Sequence, residues 1–367
     1  MQFRSIVASG LVAALLAGGP AWAETSALER GALKTLHAPA SGDENLFDAA
    51  EAAFEAGDFT EAARLLVPLA EQGDRYAQFN IGLLYSDGRG VPKDAAVALA
   101  WYQRAADQGV AEAEYNLGVA YDKGDSVARD QAVAFTWYRK AAEQGLTDAQ
   151  YSLGVMYGRG DGVTQDYVEA AGWFQKAADQ GHVGAEAALG EAYRRGNGVS
   201  RDSGAAAGWF RKSADQGYAP GQAMLGIMYH TGDGVAKDYA QSVAWLRKAA
   251  EQGYVDAQTL MGISYLEGQG VAKDPAKAAI WLRKAADQGA ADAQLSLGSL
   301  YALGRGVPGD YVSAYKWLSL ALHGSTDPQT RAKAAVALDR VSMSMSDPDI
   351  AKAKKLVKAW KPVKPSS

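Results

Sequence analysis

The chain has 367 residues, of which 48% are hydrophobic and 22% charged, with a formal net charge of −5. That apolar content excludes wholesale disorder, and so mild a charge gives no electrostatic footprint for nucleic acid. There is no cysteine, which excludes disulfides, thiol catalysis and a lipid-modified N-terminal cysteine.

Residues 1–23 have the form of a secretory signal peptide. Arg4 supplies a positive start, Ile6 to Leu16 is a short apolar run, and Ala21-Trp22-Ala23 offers a small-x-small cleavage site. The run is too short to cross a bilayer. Cleavage would remove Arg4 and take the net charge from −5 to −6. The expectation is an exported protein, with the periplasm favoured because the signal looks bacterial and no cell-wall anchor is visible, and secretion as the alternative. Residues 24–44 carry little pattern and read as a linker with a short helix near 26–36. Residues 45–73 read as a capping hairpin, whose second half contains LLVPLAEQG; Pro68 is expected to distort that helix.

From 74 to 325 one pattern dominates. Tryptophan recurs at 101, 137, 173, 209, 245, 281 and 317, a strict spacing of 36 residues. Residues 137–145 read WYRKAAEQG, 245–253 WLRKAAEQG and 281–289 WLRKAADQG. A second motif, [A/G]-x-x-x-[L/I/M]-G-x-x-Y, keeps the same period, with its Gly at 82, 118, 154, 190, 226, 262 and 298. A fixed period of this length is the signature of a repeat array. In residues 254–289, Ala257, Leu260, Met261, Ser264 and Tyr265 fall at helical spacing, and Gly268 and Gly270 end that helix. Asp274-Pro275 opens a second helix as cap and first residue, with Ala278, Trp281, Leu282, Ala285 and Ala286 on its apolar face. The capping Asp recurs at 94, 130, 166, 202, 238, 274 and 310. Each repeat is thus a helix–turn–helix hairpin, and stacking of neighbours must bury its face. A mid-helix Gly costs about 1 kcal/mol against Ala. Its expected reason is a close backbone approach between Gly262 and the Ala285-Ala286 pair, with Trp and Tyr filling the space between hairpins.

Residues 326–361 read as two C-terminal capping helices, each opened by an Asp-Pro pair, Asp327-Pro328 and Asp347-Pro348, followed by a tail at 362–367. Six lysines fall between 352 and 364. They read as the solvated outer face of a terminal cap. The alternative is a basic docking patch for an anionic surface or acidic partner.

The combination of [A/G]-x-x-x-[L/I/M]-G-x-x-Y, G-x-G-V, a capping Asp, Trp and [K/R]-[A/S]-A-[D/E]-Q-G resembles the Sel-one-like repeat family, within the tetratricopeptide-type helical solenoids. Ser126 replaces the second Gly of one turn, Gly221 replaces an Ala, and the seventh copy lacks Gln-Gly. The resemblance implies an all-α fold, an α/α superhelical solenoid whose first helices line a concave surface. It also implies an adaptor or scaffold role for protein partners in signalling, surface-polysaccharide assembly or host interaction. Cysteine-rich relatives linked to β-lactam hydrolysis are a poor match for a chain without cysteine.

The search for chemistry returns structural roles. The G-x-G pairs recur as turns between helices, with no preceding strand and no Walker-type lysine. The four histidines, at 37, 182, 230 and 323, have no metal-ligand spacing and read as surface residues. No catalytic set and no cofactor are expected. Function must then lie where the repeats differ. Phe79, Tyr115 and Tyr151 occupy one repeat position in three consecutive repeats, which later holds Ala187, Ala223, Thr259 and Leu295. With Arg159, Arg194 and Arg195 beside it, this aromatic stripe is the expected partner-binding face. Core packing of the same rings is the competing reading, and a hydrolase or a polysaccharide-binding protein are the rival functions.

Overall fold

The structure, a computed structural model, describes residues 44–363. The expected signal peptide, the linker before Glu44, and residues 364–367 with Lys364 lie outside the described residues. Eighteen helices and no strand occur among them. They are α1 (Glu44–Glu55), α2 (Phe59–Glu71), α3 (Arg75–Asp87), α4 (Ala95–Asp107), α5 (Ala111–Lys123), α6 (Gln131–Glu143), α7 (Thr147–Arg159), α8 (Tyr167–Asp179), α9 (Val183–Arg195), α10 (Ser203–Asp215), α11 (Ala219–Thr231), α12 (Tyr239–Glu251), α13 (Val255–Glu267), α14 (Pro275–Asp287), α15 (Ala291–Leu303), α16 (Tyr311–Gly324), α17 (Pro328–Ser342) and α18 (Asp347–Ala359). The fold is all-α, with consecutive helices packed as antiparallel hairpins.

The boundaries follow from caps. At α4, α6, α8, α12, α14 and α16 the preceding Asp accepts hydrogen bonds from two first-turn amides, at 2.8–3.2 Å. Asp202 does the same for one amide of α10. Each such cap contributes about 0.5–2 kcal/mol. First helices end on a left-handed Gly, as at Gly160 with φ 79. The second turn glycine has a steric duty too: at Gly162, φ 70, an added Cβ would stand 2.2 Å from the carbonyl oxygen of Gln131, the first residue of α6. Only Gly fits such an approach.

Two expectations need correction. The mid-helix Gly does not face the Ala-Ala pair. A Cβ on Gly262 would meet Leu282 Cγ at 2.5 Å, and one on Gly118 the Tyr138 ring at 2.6 Å. The glycine therefore makes room for the residue that follows each Trp in the partner helix, because side-chain direction decides what meets across a hairpin. At α18 the cap is Ser346, which accepts from Asp349 N–H, and Asp347 is already helical. Pro68 lies inside α2, which continues past it to Glu71.

The chain divides into two compact units. In the first, which contains α1 to α8, the apolar core runs between successive hairpins. Trp101 packs on the cluster of Leu66, Ile81 and Leu84, and Trp137 on that of Tyr102, Ala105 and Leu117. In the second, Trp317 belongs to the cluster of Leu282, Ala285, Ala286 and Leu297, and Trp360 packs against the same group. The chain after α18 is fixed there by the Val363 amide, which donates to the Asp287 carbonyl at 2.8 Å.

Candidate functional site

Most recurring polar side chains are committed to the framework. The Lys or Arg three residues after the Trp stands 3.6–4.5 Å from the ring centre at Trp101, Trp137, Trp173, Trp209, Trp245 and Trp281. Arg211, Arg247 and Arg283 donate to the hydroxyls of Tyr229, Tyr265 and Tyr301 in the next hairpin. The Gln of a Gln-Gly pair can donate both to the preceding hairpin and to its own, as Gln108 does to the Gly73 carbonyl and to Gln78 Oε1 on α3. What remains for function is the set of residues that does not recur.

Phe79, Tyr115 and Tyr151 stand on α3, α5 and α7, each paired with a ring of its own hairpin. Phe79 meets Tyr102 at 5.9 Å, Tyr115 meets Tyr138 at 5.5 Å and Tyr151 meets Phe174 at 5.9 Å, all tilted. Phe79 is 3% exposed, whereas Tyr115 and Tyr151 are half-buried. Burial pushes the Tyr151 phenol up to about 12, against the pull of Arg159, so it is a neutral donor at physiological pH. Arg159 is exposed at the end of α7 and pairs with Asp161 at 3.7 Å. Arg194 and Arg195 belong to the second unit. Arg194 grips the Glu191 carboxylate with two donors, at 2.8 and 2.7 Å, and Arg195 donates to the same group. Glu191 is 3% exposed and stands where the other repeats carry Leu83, Val119, Val155, Ile227, Ile263 and Ser299.

Two histidines read as surface residues are not. His182 stacks on Tyr151 at 4.4 Å, its Nδ1 accepts from the Ala185 amide at 3.0 Å, and its Nε2 lies 3.6 Å from Asp148. It thereby caps the start of α9 and extends the aromatic row. His230 is 9% exposed, edge-on to Tyr239 at 4.9 Å. Burial, helped by Lys237, pushes its imidazole down to about 4. Repeat register could have found His182, because Val110, Leu146, Tyr218, Tyr254 and Ala290 hold the same position. Among the described residues no group of three or more His, Asp or Glu could hold a metal ion, and no helix is long and apolar enough to cross a membrane.

Capped two-helix hairpins in strict register, several of them tied to the preceding hairpin by a Gln side chain, define a helical repeat protein. The Sel1 repeat model matches seven times, at residues 75–110, 111–146, 147–182, 183–218, 219–254, 255–289 and 291–323, and the chain belongs to the Sel1 repeat family. Among solved structures it is similar to c5321, a protective antigen of uropathogenic Escherichia coli with an SLR fold. The identity is 30% and the TM-score 0.53, over 87% of this chain and 91% of that one. It is also similar to a Sel1 repeat protein from Oxalobacter formigenes, with 33% identity and a TM-score of 0.62 over 67% of this chain and 97% of that one. Comparison with curated proteins gave no match.

Proposed function

We propose that the chain is an exported, non-catalytic scaffold that holds a segment of a protein partner against its first helices. The observation that carries this is positional. Aromatic rings occupy one repeat position at Phe79, Tyr115 and Tyr151 and then give way to Ala187, Ala223, Thr259 and Leu295, while the framework continues unchanged. A purely structural ring would persist, as the Trp series does. Tyr115 and Tyr151 keep part of their surface accessible, and Arg159 lies at the end of the same helix as Tyr151. Aromatic and Arg side chains are the commonest binding hot spots, at about 2 kcal/mol or more each. The similarity to a protective antigen supports an exported location in the periplasm or beyond.

The test is crosslinking in the cell with the full chain. Tyr115→Ala with Tyr151→Ala is expected to abolish capture of the partner while leaving most helicity intact; Phe79→Ala added to them should deepen the loss. If the double variant stays folded and captures normally, the face lies elsewhere. The next place is α18, where only Ala353 is fully buried and Lys352, Lys354, Lys355 and Lys358 are exposed, with exposed Lys361 just beyond it, a face suited to an anionic or acidic partner. The non-catalytic reading is tested with a chromogenic cephalosporin. No turnover is expected, and turnover that vanishes with one Ser or carboxylate substitution would overturn it.

A further inference from the structure

A ladder of side-chain amides joins the hairpins. Gln78, Gln150, Gln222, Gln258 and Gln294 each donate Nε2 to an alanine carbonyl eight residues earlier, in the last turn of the preceding helix, at 3.0–3.3 Å. Four of them also accept, at 2.8–2.9 Å, from the Gln thirty residues later. Each amide thus needs one oxygen that accepts and one nitrogen that donates.

At two repeats the amide is missing: the same position holds Glu114 and Glu186. Both are 4% exposed. Both still accept from the later Gln, Gln144 Nε2 at 2.7 Å and Gln216 Nε2 at 2.8 Å. The accepting half of the amide is therefore reproduced. The donating half is not available to a carboxylate. By register, the second oxygen of Glu114 takes the place of the amide nitrogen, whose target would be the Ala106 carbonyl in the last turn of α4. An ionised group there would set oxygen against oxygen at the negative end of a helix.

We propose that Glu114 and Glu186 are carried in the folded chain as neutral carboxylic acids that stand in for glutamine, the Glu114 O–H donating to the Ala106 carbonyl, so that these junctions loosen as pH rises. The surroundings agree. Burial pushes both carboxyls above the usual glutamate range, more than their neighbours pull them down. For Glu114 those neighbours are Gln144, Lys140 and Glu143, all from the end of α6, and Glu143 pushes the same way as burial. For Glu186 they are Lys212 and Gln216, from the end of α10. Lys140 and Lys212 are seated 4.0 and 3.9 Å from the Trp137 and Trp209 ring centres, and their pull on the carboxyls is outweighed by burial. A carboxyl whose pKa is raised on folding holds its proton longer in the folded than in the unfolded chain. Its stabilising share is complete below the unfolded pKa, near 4.3, and is lost as pH rises through the folded value.

The experiment uses the whole chain. The carboxyl carbon shifts of Glu114 and Glu186 are followed by NMR against pH, and amide exchange is compared between the wild type and Glu114→Gln. The expected result is titration of both carboxyls above the ordinary glutamate range. Protection of the α5 and α6 amides in Glu114→Gln should match the wild type at low pH and exceed it increasingly above, by up to about tenfold per pH unit across the window. Glu186→Gln should do the same in α9 and α10. Ordinary titration of the two carboxyls, or equal protection at every pH, would overturn the proposal. So would a Glu114→Gln chain that fails to fold, because Gln fits this position in five other repeats.

Discussion

Ser126 holds a left-handed backbone, with φ 65, where six other turns place glycine at 90, 162, 198, 234, 270 and 306. An L residue in that conformation costs about 1–2 kcal/mol, and glycine returns about 0.5–1 kcal/mol of it through the unfolded chain. Ser126→Gly should therefore stabilise the protein by about 0.5–1 kcal/mol, seen as a higher melting temperature. An unchanged or lower one would mean that the Ser side chain makes a compensating contact. His230 predicts a pH effect of opposite sign to that of Glu114. Its folded pKa is pushed from 6.5 to about 4, so the unfolded chain binds the proton first. Its share of stability is present above pH 6.5 and is lost as pH falls toward 4. Denaturant midpoints between those limits should decline less steeply in His230→Phe than in the wild type. Such single residues were poorly legible in sequence. The capping Asp and turn Gly could be read because each repeats seven times or nearly so. His182 and His230 occur once each, and burial that depends on neighbours leaves no local pattern.

At the scale of the helix, two glycines that look alike in sequence should behave in opposite ways. A Cβ on Gly226 of α11 would stand 2.9 Å from Leu246 Cγ and 3.1 Å from the Ser242 carbonyl. Overpacking of this kind costs about 1–3 kcal/mol, so Gly226→Val should lower the melting temperature clearly. Gly208, inside α10, has nothing within 4 Å of where its Cβ would be. Gly208→Ala should stabilise by about 0.5–1 kcal/mol, through helix propensity alone. Equal melts for the two variants would remove the close-contact account of the mid-helix glycine. The sequence announced that this glycine needed a reason and misjudged the partner. It paired Gly262 with Ala285 and Ala286 by size, whereas the direction of side chains on α14 brings Leu282 to it. The aromatic stripe was legible as a register, but not the ring each member would meet. Phe79 proves far more enclosed than Tyr115 and Tyr151, although the three share one repeat position.

At the scale of the molecule, packing within the repeats is chiefly between sequence neighbours, α11 on α10 and α12 and α12 on α13, whereas at the C-terminal end α16 also packs on α18. Removal of residues 219–254 would bring α10 against α13 with matching chemistry, since Gln258 could take over the Gln222 bond to the Ala214 carbonyl. That shortened chain should keep its helicity per residue by circular dichroism, because stability in such arrays is nearly a sum of neighbour terms. Removal of residues 219–236, half a period, should not be tolerated. The turns carry a further consequence, for digestion. A protease must draw a stretch of chain out into an extended form, and it prefers loop tips that yield easily. Most turns between the helices of one hairpin are pinned by two left-handed glycines and by the capping Asp, whose amide also donates to the preceding Tyr carbonyl. The turn from Gly124 to Asp130 keeps the Asp but holds Ser126 under strain, with Lys123 and Arg129 exposed at its two ends. Within the described residues, trypsin should make its first cut there, and the Ser126→Gly chain should outlast the wild type in the same digest.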